Sequence, residues 1–221
     1  MKPERLTHAR RKEQTRARLL DAARSIFLEK GLAATSVEDI VEAAGYTRGA
    51  FYSNFRSKQE LLTELLRRDA DEARANLQAI FEEGGTPEER KARAIAYFSS
   101  DYPESDCFPL WVEAQLLACR DSVFGERVRA FRREKLSQLS AYIRMLLMDS
   151  DSALPLQVDA LALGLMSLFD GMQFLGMCDP QTVTDQTMHS VLAQSVSCLL
   201  WRQPENKGRR EHPDSATASC I

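Results

Sequence analysis

The sequence of 221 residues lacks the motifs of the common enzyme and metal-binding classes. It has no C-x-x-C, H-E-x-x-H, phosphate-loop or G-x-G-x-x-G spacing, and its three histidines lie far apart. We therefore expect no enzyme, with no catalytic residue, no metal and no cofactor. The five cysteines are an odd number without a close pair, which is typical of free thiols in a reducing compartment. Cys119 or Cys178 could still act as a redox sensor.

The chain also lacks the apolar core of a secretory signal peptide, because its first 16 residues are mostly charged or polar. The most apolar stretch, residues 160–178, has about the length of a membrane span. It carries Ser167, Asp170 and Gln173, however, and has no basic flanks, so we predict a buried helix. These features together predict a cytoplasmic protein.

The net charge of −3 hides an uneven distribution along the chain. Residues 1–58 hold 12 basic and 7 acidic side chains, whereas residues 59–221 hold 17 basic and 25 acidic ones. A uniformly basic nucleic-acid coat is thereby excluded. A basic N-terminal part on an acidic body indicates that only the N-terminal part meets a polyanion.

Apolar residues recur at helical spacing along most of the chain, and no segment alternates as a strand does. In the N-terminal part we expect helices to begin after the caps Ser36, Thr47 and Ser57 and to end at Gly31 and Gly45. The third helix should reach about residue 55, and the fourth should run to the break at residues 84–87. Further helices are expected at roughly 87–101, 108–118, 122–149, 155–178 and 183–202. The fold class is therefore all-α, with about nine helices.

Residues 35–58 contain two short helices joined by a glycine-containing turn, the arrangement of a helix-turn-helix. The second helix can lie in the major groove of DNA, with Ala50, Phe51 and Phe55 anchoring it to the protein. Arg48, near its start, can bridge O6 and N7 of guanine, and Gly49 lets the backbone approach the groove. The candidate DNA contacts are Thr35, Ser36, Thr47, Arg48, Gly49, Ala50, Tyr52, Ser53, Asn54 and Lys58.

Simpler interpretations exist for several of these residues. Ser36, Thr47 and Ser57 are ordinary helix caps in any protein, and Tyr52 could be a packing aromatic. The basic run at residues 10–12 could reach an adjacent groove or form a solvated helix face. The spacing also occurs in helical hairpins, so an architectural helix-turn-helix that docks a partner other than DNA is an alternative.

The same stretch resembles the DNA-binding domain of the TetR (tetracycline-repressor-like) family of bacterial transcriptional regulators, over about residues 12–65. The matching segments are residues 27–31, 35–37, 43–55 and 57–61. The resemblance places Thr47, Arg48, Gly49, Tyr52, Asn54 and Lys58 at DNA-contact positions of the family. Asn54 stands where family members often carry histidine, and Arg48 where many carry lysine. Both can contact DNA, and the preferred operator sequence stays open.

The resemblance implies three parts. Residues 1–56 would form the DNA-binding helix-turn-helix domain with a basic N-terminal arm, and residues 57–202 a helical domain for ligand binding and dimerisation. Residues 203–221 are polar without an apolar period, and we expect a disordered tail. The fourth helix would belong to both domains.

Aromatic and methionine side chains are abundant after the fourth helix, and a few polar residues interrupt its apolar segments. Buried polar groups need partners, so these residues either orient a ligand or bond to another helix. Glu113 is one such polar residue. The candidate ligand contacts are Phe108, Trp111, Gln115, Met145, Met166, Phe169, Asp170, Gln173 and Phe174.

The last two predicted helices should pair with their copies across a twofold axis. Residues 168–173 loosely resemble the dimerisation helix of the family. One short recognition helix reads too few base pairs, and a homodimer presents two of them to an inverted repeat. We therefore predict a homodimeric, ligand-responsive repressor that leaves its double-stranded DNA operator when a small hydrophobic or aromatic effector binds. An activator of the same family is an alternative, and the effector and regulated genes stay open.

Overall fold

The computed structural model describes residues 8–97, 107–147 and 157–201, and every regular element in these ranges is a helix. The elements are α1 (His8–Ala34), α2 (Val37–Ala44), α3 (Arg48–Tyr52), α4 (Lys58–Glu82), α5 (Pro87–Ala96), α6 (Phe108–Ala118), α7 (Ser122–Leu147), α8 (Val158–Cys178) and α9 (Asp185–Trp201). The predicted all-α class is confirmed for this part of the chain. The tail predicted at 203–221 lies outside the described residues, as do the ends predicted for several C-terminal helices.

The predicted helix starts in the N-terminal part are confirmed by hydrogen bonds. The side-chain oxygens of Ser36, Thr47 and Ser57 each accept a backbone N–H three residues later, at 3.1, 3.3 and 3.1 Å. Gly45 ends α2 in the left-handed region, with φ 71°. Because short helices have few internal bonds, these caps define where α2 and α3 begin.

Gly31 interrupts α1 with φ 79° and ψ 160°, and side chains from two other helices hold the turn that follows. Glu113 of α6 accepts the backbone N–H of Leu32 at 2.7 Å. Lys58, at the start of α4, donates from its ammonium to the carbonyls of Leu32 and Thr35. A Cβ at Gly31 would lie 3.1 Å from the Glu113 carboxylate, so glycine also gives this carboxylate room to approach. The turn between α1 and α2 is thereby tied to α4 and α6.

Two clusters of buried apolar residues fill the interior. The first joins α1–α4 to α6 and the start of α7, and the second joins the end of α4 to α7, α8 and α9. Helix α4 enters both, through Leu61–Leu66 in the first and Leu77 in the second. The first cluster crosses the boundary that we place between residues 56 and 57, and that boundary stays a prediction.

Helix α8 is long and apolar enough to cross a membrane by length and composition, as the predicted span length indicated. It packs against α7 and α9 and buries Leu161, Leu165 and Phe169 in the second cluster. Its other side exposes Leu163 and Leu175. The predicted buried helix is therefore buried along one face only.

The Ser36 cap leads to a stability prediction. Replacing Ser36 with Ala should lower the free energy of unfolding by about 1 kcal/mol, because one N–H of α2 loses its acceptor. Urea unfolding followed by circular dichroism at pH 7 measures the difference. Ser25→Ala is the control, since the exposed Ser25 hydroxyl donates within α1 to Asp21 and caps no helix. Equal stability of the Ser36→Ala variant and the wild type would contradict this.

The same cap should make the difference pH-dependent. Hydrogen bonds from the Ser36 side chain and backbone hold the pKa of Asp39 below its usual value near 3.8. A lowered folded-state pKa stabilises the fold above the unfolded-state pKa, and the stabilisation is lost as the pH falls through the folded-state value. The stability difference between the Ser36→Ala variant and the wild type should therefore become smaller as the pH falls below about 3.8, and the part that comes from the lost N–H acceptor should remain.

Candidate functional site

Helix α3 is held by two buried rings and presents its other side to solvent. Phe51 and Phe55 are 0% and 1% exposed within the first apolar cluster. Thr47, Arg48, Gly49, Tyr52 and Ser53 are exposed, as predicted for a groove-facing surface, and Ala50 is half-buried. We call α3 with its cap Thr47 and the following Ser53 the α3 surface. Beyond its chain neighbours and the backbone of its own helix, a Cβ built at Gly49 would meet only the Thr47 hydroxyl oxygen, at 3.7 Å. Another molecule can therefore approach the backbone closely at this position.

Arg48 is the most prominent cation of the α3 surface, with its side chain 62% exposed. One guanidinium nitrogen lies 2.7 Å from Glu38 Oε1 of α2, and the guanidinium carbon lies 5.8 Å from the centre of the Tyr52 ring. The Tyr52 hydroxyl, and then the Glu38 charge, raise the pKa of Arg48 above its usual value. Glu38 is not among the predicted site residues, although the sequence shows an acidic residue in the first turn of the predicted second helix.

Arg16 is a second residue that the sequence analysis missed. Its guanidinium lies 4.3 Å from the centre of the Phe55 ring, donates to the backbone carbonyl of Asn54 at 3.0 Å and pairs with Glu64 at 3.2 Å. It thereby connects α1, the end of the α3 segment and α4. Hydrogen bonding from Arg67, with the charge of Arg16, holds the pKa of Glu64 below its usual value. No spacing rule connects positions 16, 54 and 64, so only the fold reveals this contact.

Four of the predicted DNA contacts are committed to bonds inside the protein. The Thr35 side chain is not on the surface, because the residue is 1% exposed and its hydroxyl donates to the Gly31 carbonyl at 2.8 Å. The Ser36 hydroxyl bonds to Asp39. The remaining two are Lys58, whose ammonium caps the end of α1, and Asn54, whose amide donates to the Ala50 carbonyl at 2.8 Å. A phosphate contact from Thr35, Ser36 or Asn54 would have to replace these bonds, whereas the Lys58 ammonium has a third N–H beyond its two bonds to carbonyls.

The basic residues predicted for an N-terminal arm belong to α1. Arg10, Arg11 and Lys12 lie in the first turns of this helix, and all three are exposed. They form a solvated helix face, which is one of the two arrangements that the sequence left open.

A cavity of about 490 Å³ lies between α4, α6, α7 and α8. The predicted ligand contacts that line it are Phe108, Trp111, Gln115, Met166, Phe169, Asp170 and Gln173. Met145 and Phe174 do not line it: they are 42% and 45% exposed on outer faces of their helices, apart from the other predicted ligand contacts. Glu113 also faces away from the cavity, toward the turn after Gly31. Periodicity alone did not show which face of α7 and α8 turns inward.

The cavity wall combines aromatic rings with paired charges. Trp111 meets Phe131 edge-on at 6.2 Å between ring centres, and its indole N–H donates to Asp69 at 2.9 Å. Asp170 forms an ion pair with Arg132 at 3.0 Å. Asp69, Phe131 and Arg132 are not among the predicted ligand contacts, because their neighbours in the sequence are mostly charged. In the described ranges, no cluster of histidine, cysteine or carboxylate side chains could hold a metal ion.

Comparisons with known proteins agree with the placement of these helices. The family profile for bacterial regulatory proteins of the tetR family matches residues 19–65, which span most of α1, all of α2 and α3 and the start of α4. The transcriptional repressor KstR2 of Mycobacterium tuberculosis is 41% identical over 75 residues. That match covers 34% of this chain and 38% of KstR2, so it spans little more than a third of either protein.

Solved structures extend the likeness in fold to most of the chain. A TetR transcription regulator from Haloarcula marismortui superposes with a TM-score of 0.70 at 16% identity, covering 85% of this chain and 98% of that one. FadR from Bacillus subtilis, solved in complex with stearoyl-CoA, gives a TM-score of 0.67 at 16% identity, with 81% and 96% covered. At such identities these structures show the shared fold alone. Residues 19–65 therefore match the tetR family of bacterial regulatory proteins in sequence, and the chain shares its fold with solved regulators of that family.

Proposed function

We propose that the protein is a sequence-specific, DNA-binding transcriptional repressor that acts as a homodimer and leaves a palindromic operator when a small apolar or aromatic effector binds. The observation that carries the proposal is the α3 surface. It places an exposed arginine, a glycine without a side chain and a hydroxyl cap on one side of a helix that buried phenylalanines hold in place.

The α3 surface suits the major groove. Arg48 extends from the first turn of α3, and residues at the start of a recognition helix contact base edges. An arginine at such a position can donate two hydrogen bonds to one guanine. Thr47 and Tyr52 are exposed beside it and can donate to phosphate oxygens, which position a protein without reading sequence.

The exposed side of α8 supports the homodimer. Leu163, Phe174 and Leu175 are 50%, 45% and 51% exposed along one face of this helix. Gly164 and Gly171 lie on the same face, and a Cβ built at either would meet nothing within 4 Å, so a second helix can approach closely. Contiguous apolar surface of this kind marks an interaction site, and a twofold pairing would cover it on both copies.

The cavity supports the effector. Its volume of about 490 Å³ lies in the range of small-molecule sites, and its wall combines aromatic rings with charged and polar side chains. FadR, which shares the fold, was solved in complex with stearoyl-CoA, a ligand with a long apolar chain. Helix α4 lines the cavity near residues 67–77, and Lys58 at its start binds the turn between α1 and α2. The helix can therefore transmit occupancy of the cavity to the DNA-binding helices.

Selection of genomic DNA fragments on the purified protein at physiological salt tests the proposal. We expect one inverted repeat to be enriched. The protein should be unfolded in denaturant, separated from small molecules and refolded before a second selection, which removes any copurified effector. Binding that only fades with increasing salt in both selections, with no enriched sequence, would contradict the proposal.

Arg48 should carry discrimination between DNA sequences. Replacing Arg48 with Ala should lower the free-energy difference between operator and scrambled DNA by about 1–3 kcal/mol, because a bidentate base contact is lost. Fluorescence anisotropy with both DNAs measures it. Arg56→Ala is the matched control: Arg56 is exposed in the loop before α4, so its removal should weaken both DNAs alike. Unchanged discrimination in the Arg48→Ala variant would defeat the assignment.

The α8 face should determine the oligomeric state. Introducing glutamate at both Leu163 and Leu175 should give a monomer, because the paired faces would bury four carboxylates. Sedimentation velocity should show the smaller species, and operator affinity should fall since one recognition helix per molecule remains. Leu116→Glu is the control, because Leu116 is 57% exposed on α6, away from this face. A double variant that still sediments as a dimer would exclude α8 as the interface.

A further inference from the structure

The Arg48–Glu38 ion pair connects the recognition helix to the helix before it in the helix-turn-helix. The atoms lie 2.7 Å apart, and the two side chains are 62% and 55% exposed. Exposed ion pairs contribute little to stability, so this pair has little structural purpose. Its position matters more, because it occupies the guanidinium of the one arginine on the α3 surface.

A DNA duplex that approaches the α3 surface brings phosphates close to both members of the pair, since the first helix of a helix-turn-helix crosses the DNA backbone. The Glu38 carboxylate repels these phosphates, and while it holds Arg48 it also cancels the charge that would attract them. A guanine edge can compensate for the lost ion pair with two directed hydrogen bonds, whereas a phosphate must compete with the carboxylate for the same cation.

We propose that Glu38 is a specificity-determining residue: its carboxylate withholds Arg48 from phosphates and releases it to a matching base edge. This inference rests on the proposed function and adds a residue that touches no base. Its effect falls mainly on non-specific DNA, where Arg48 would otherwise become one more phosphate contact.

The test compares Glu38→Gln with the wild type on the selected operator and on scrambled DNA, across a range of salt concentrations. Glutamine keeps the size of the side chain and removes its charge. We expect non-specific affinity to increase, and the ratio of operator to scrambled affinity to fall by about threefold or more. The slope of log affinity against log salt on scrambled DNA should become steeper by about 0.9, the value for one additional phosphate contact.

Glu42→Gln provides the matched control. Glu42 lies one turn further along α2, is exposed and carries the same charge. Removing its charge should increase the affinity for both DNAs alike and leave the affinity ratio unchanged. In the Arg48→Ala background, Glu38→Gln should also leave the ratio unchanged, because the residue that Glu38 restrains is absent.

Each result separates the inference from the function on which it rests. A wild type that prefers no sequence contradicts the proposed function and the inference together. A wild type that discriminates, with a Glu38→Gln variant that discriminates equally well, overturns the inference alone. The inference is also overturned if Glu42→Gln lowers the operator-to-scrambled affinity ratio as Glu38→Gln does. The same holds if Glu38→Gln still lowers this ratio in the Arg48→Ala background. Circular dichroism verifies folding, and Glu38→Ala serves as a second variant that should shift the ratio in the same direction.

Discussion

Burial of Phe51 and Phe55 is the interaction on which the DNA-facing surface depends. Helix α3 has five residues, far fewer than a helix needs to persist in water, so its conformation comes from packing rather than from intrinsic propensity. Both rings are almost fully buried, and the Arg16 guanidinium covers the second at 4.3 Å from its centre. The direction of every exposed side chain on α3 follows from how these rings are seated.

The turn after Gly31 connects the helices of the cavity wall to the DNA-facing helices. Helix α6 carries Trp111 on the cavity side and, two residues later, Glu113 on the side that accepts the Leu32 N–H. Lys58 of α4 binds the carbonyl of the same Leu32. The N–H of Leu32 is therefore bound by α6, a helix of the cavity wall, and its carbonyl is bound by α4. In the proposed repressor, these bonds connect the helices of the cavity wall to the turn before α2.

The charge of the N-terminal part is less available than its composition indicates. Arg16 pairs with Glu64, Lys58 binds backbone carbonyls, and Arg48 pairs with Glu38. These bonds inside the protein therefore compete with direct contacts from the three cations to DNA, although the positive charges remain. In the proposed regulator, the pairing of Arg48 with Glu38 is what lowers non-specific binding.

The sequence by itself determined the helical class, the caps at Ser36, Thr47 and Ser57 and the inward-facing Phe51 and Phe55. Each of these depends on residues three to four positions apart, and a local hydrogen bond or one helical turn is enough to specify it. The family could be inferred for the same reason, since its matching positions lie in one continuous stretch.

Only the tertiary structure decided which polar groups remain available and which helix faces meet. The partners of Thr35, Lys58 and Arg48 lie on other turns or other helices, so spacing could not show that the first is buried or that the other two are engaged. Met145 and Phe174 are apolar, as many cavity residues are, but the orientation of α7 and α8 about their axes places both on outer faces. That rotation is determined by packing among α6, α7, α8 and α9, which depends on side-chain shapes in four helices at once.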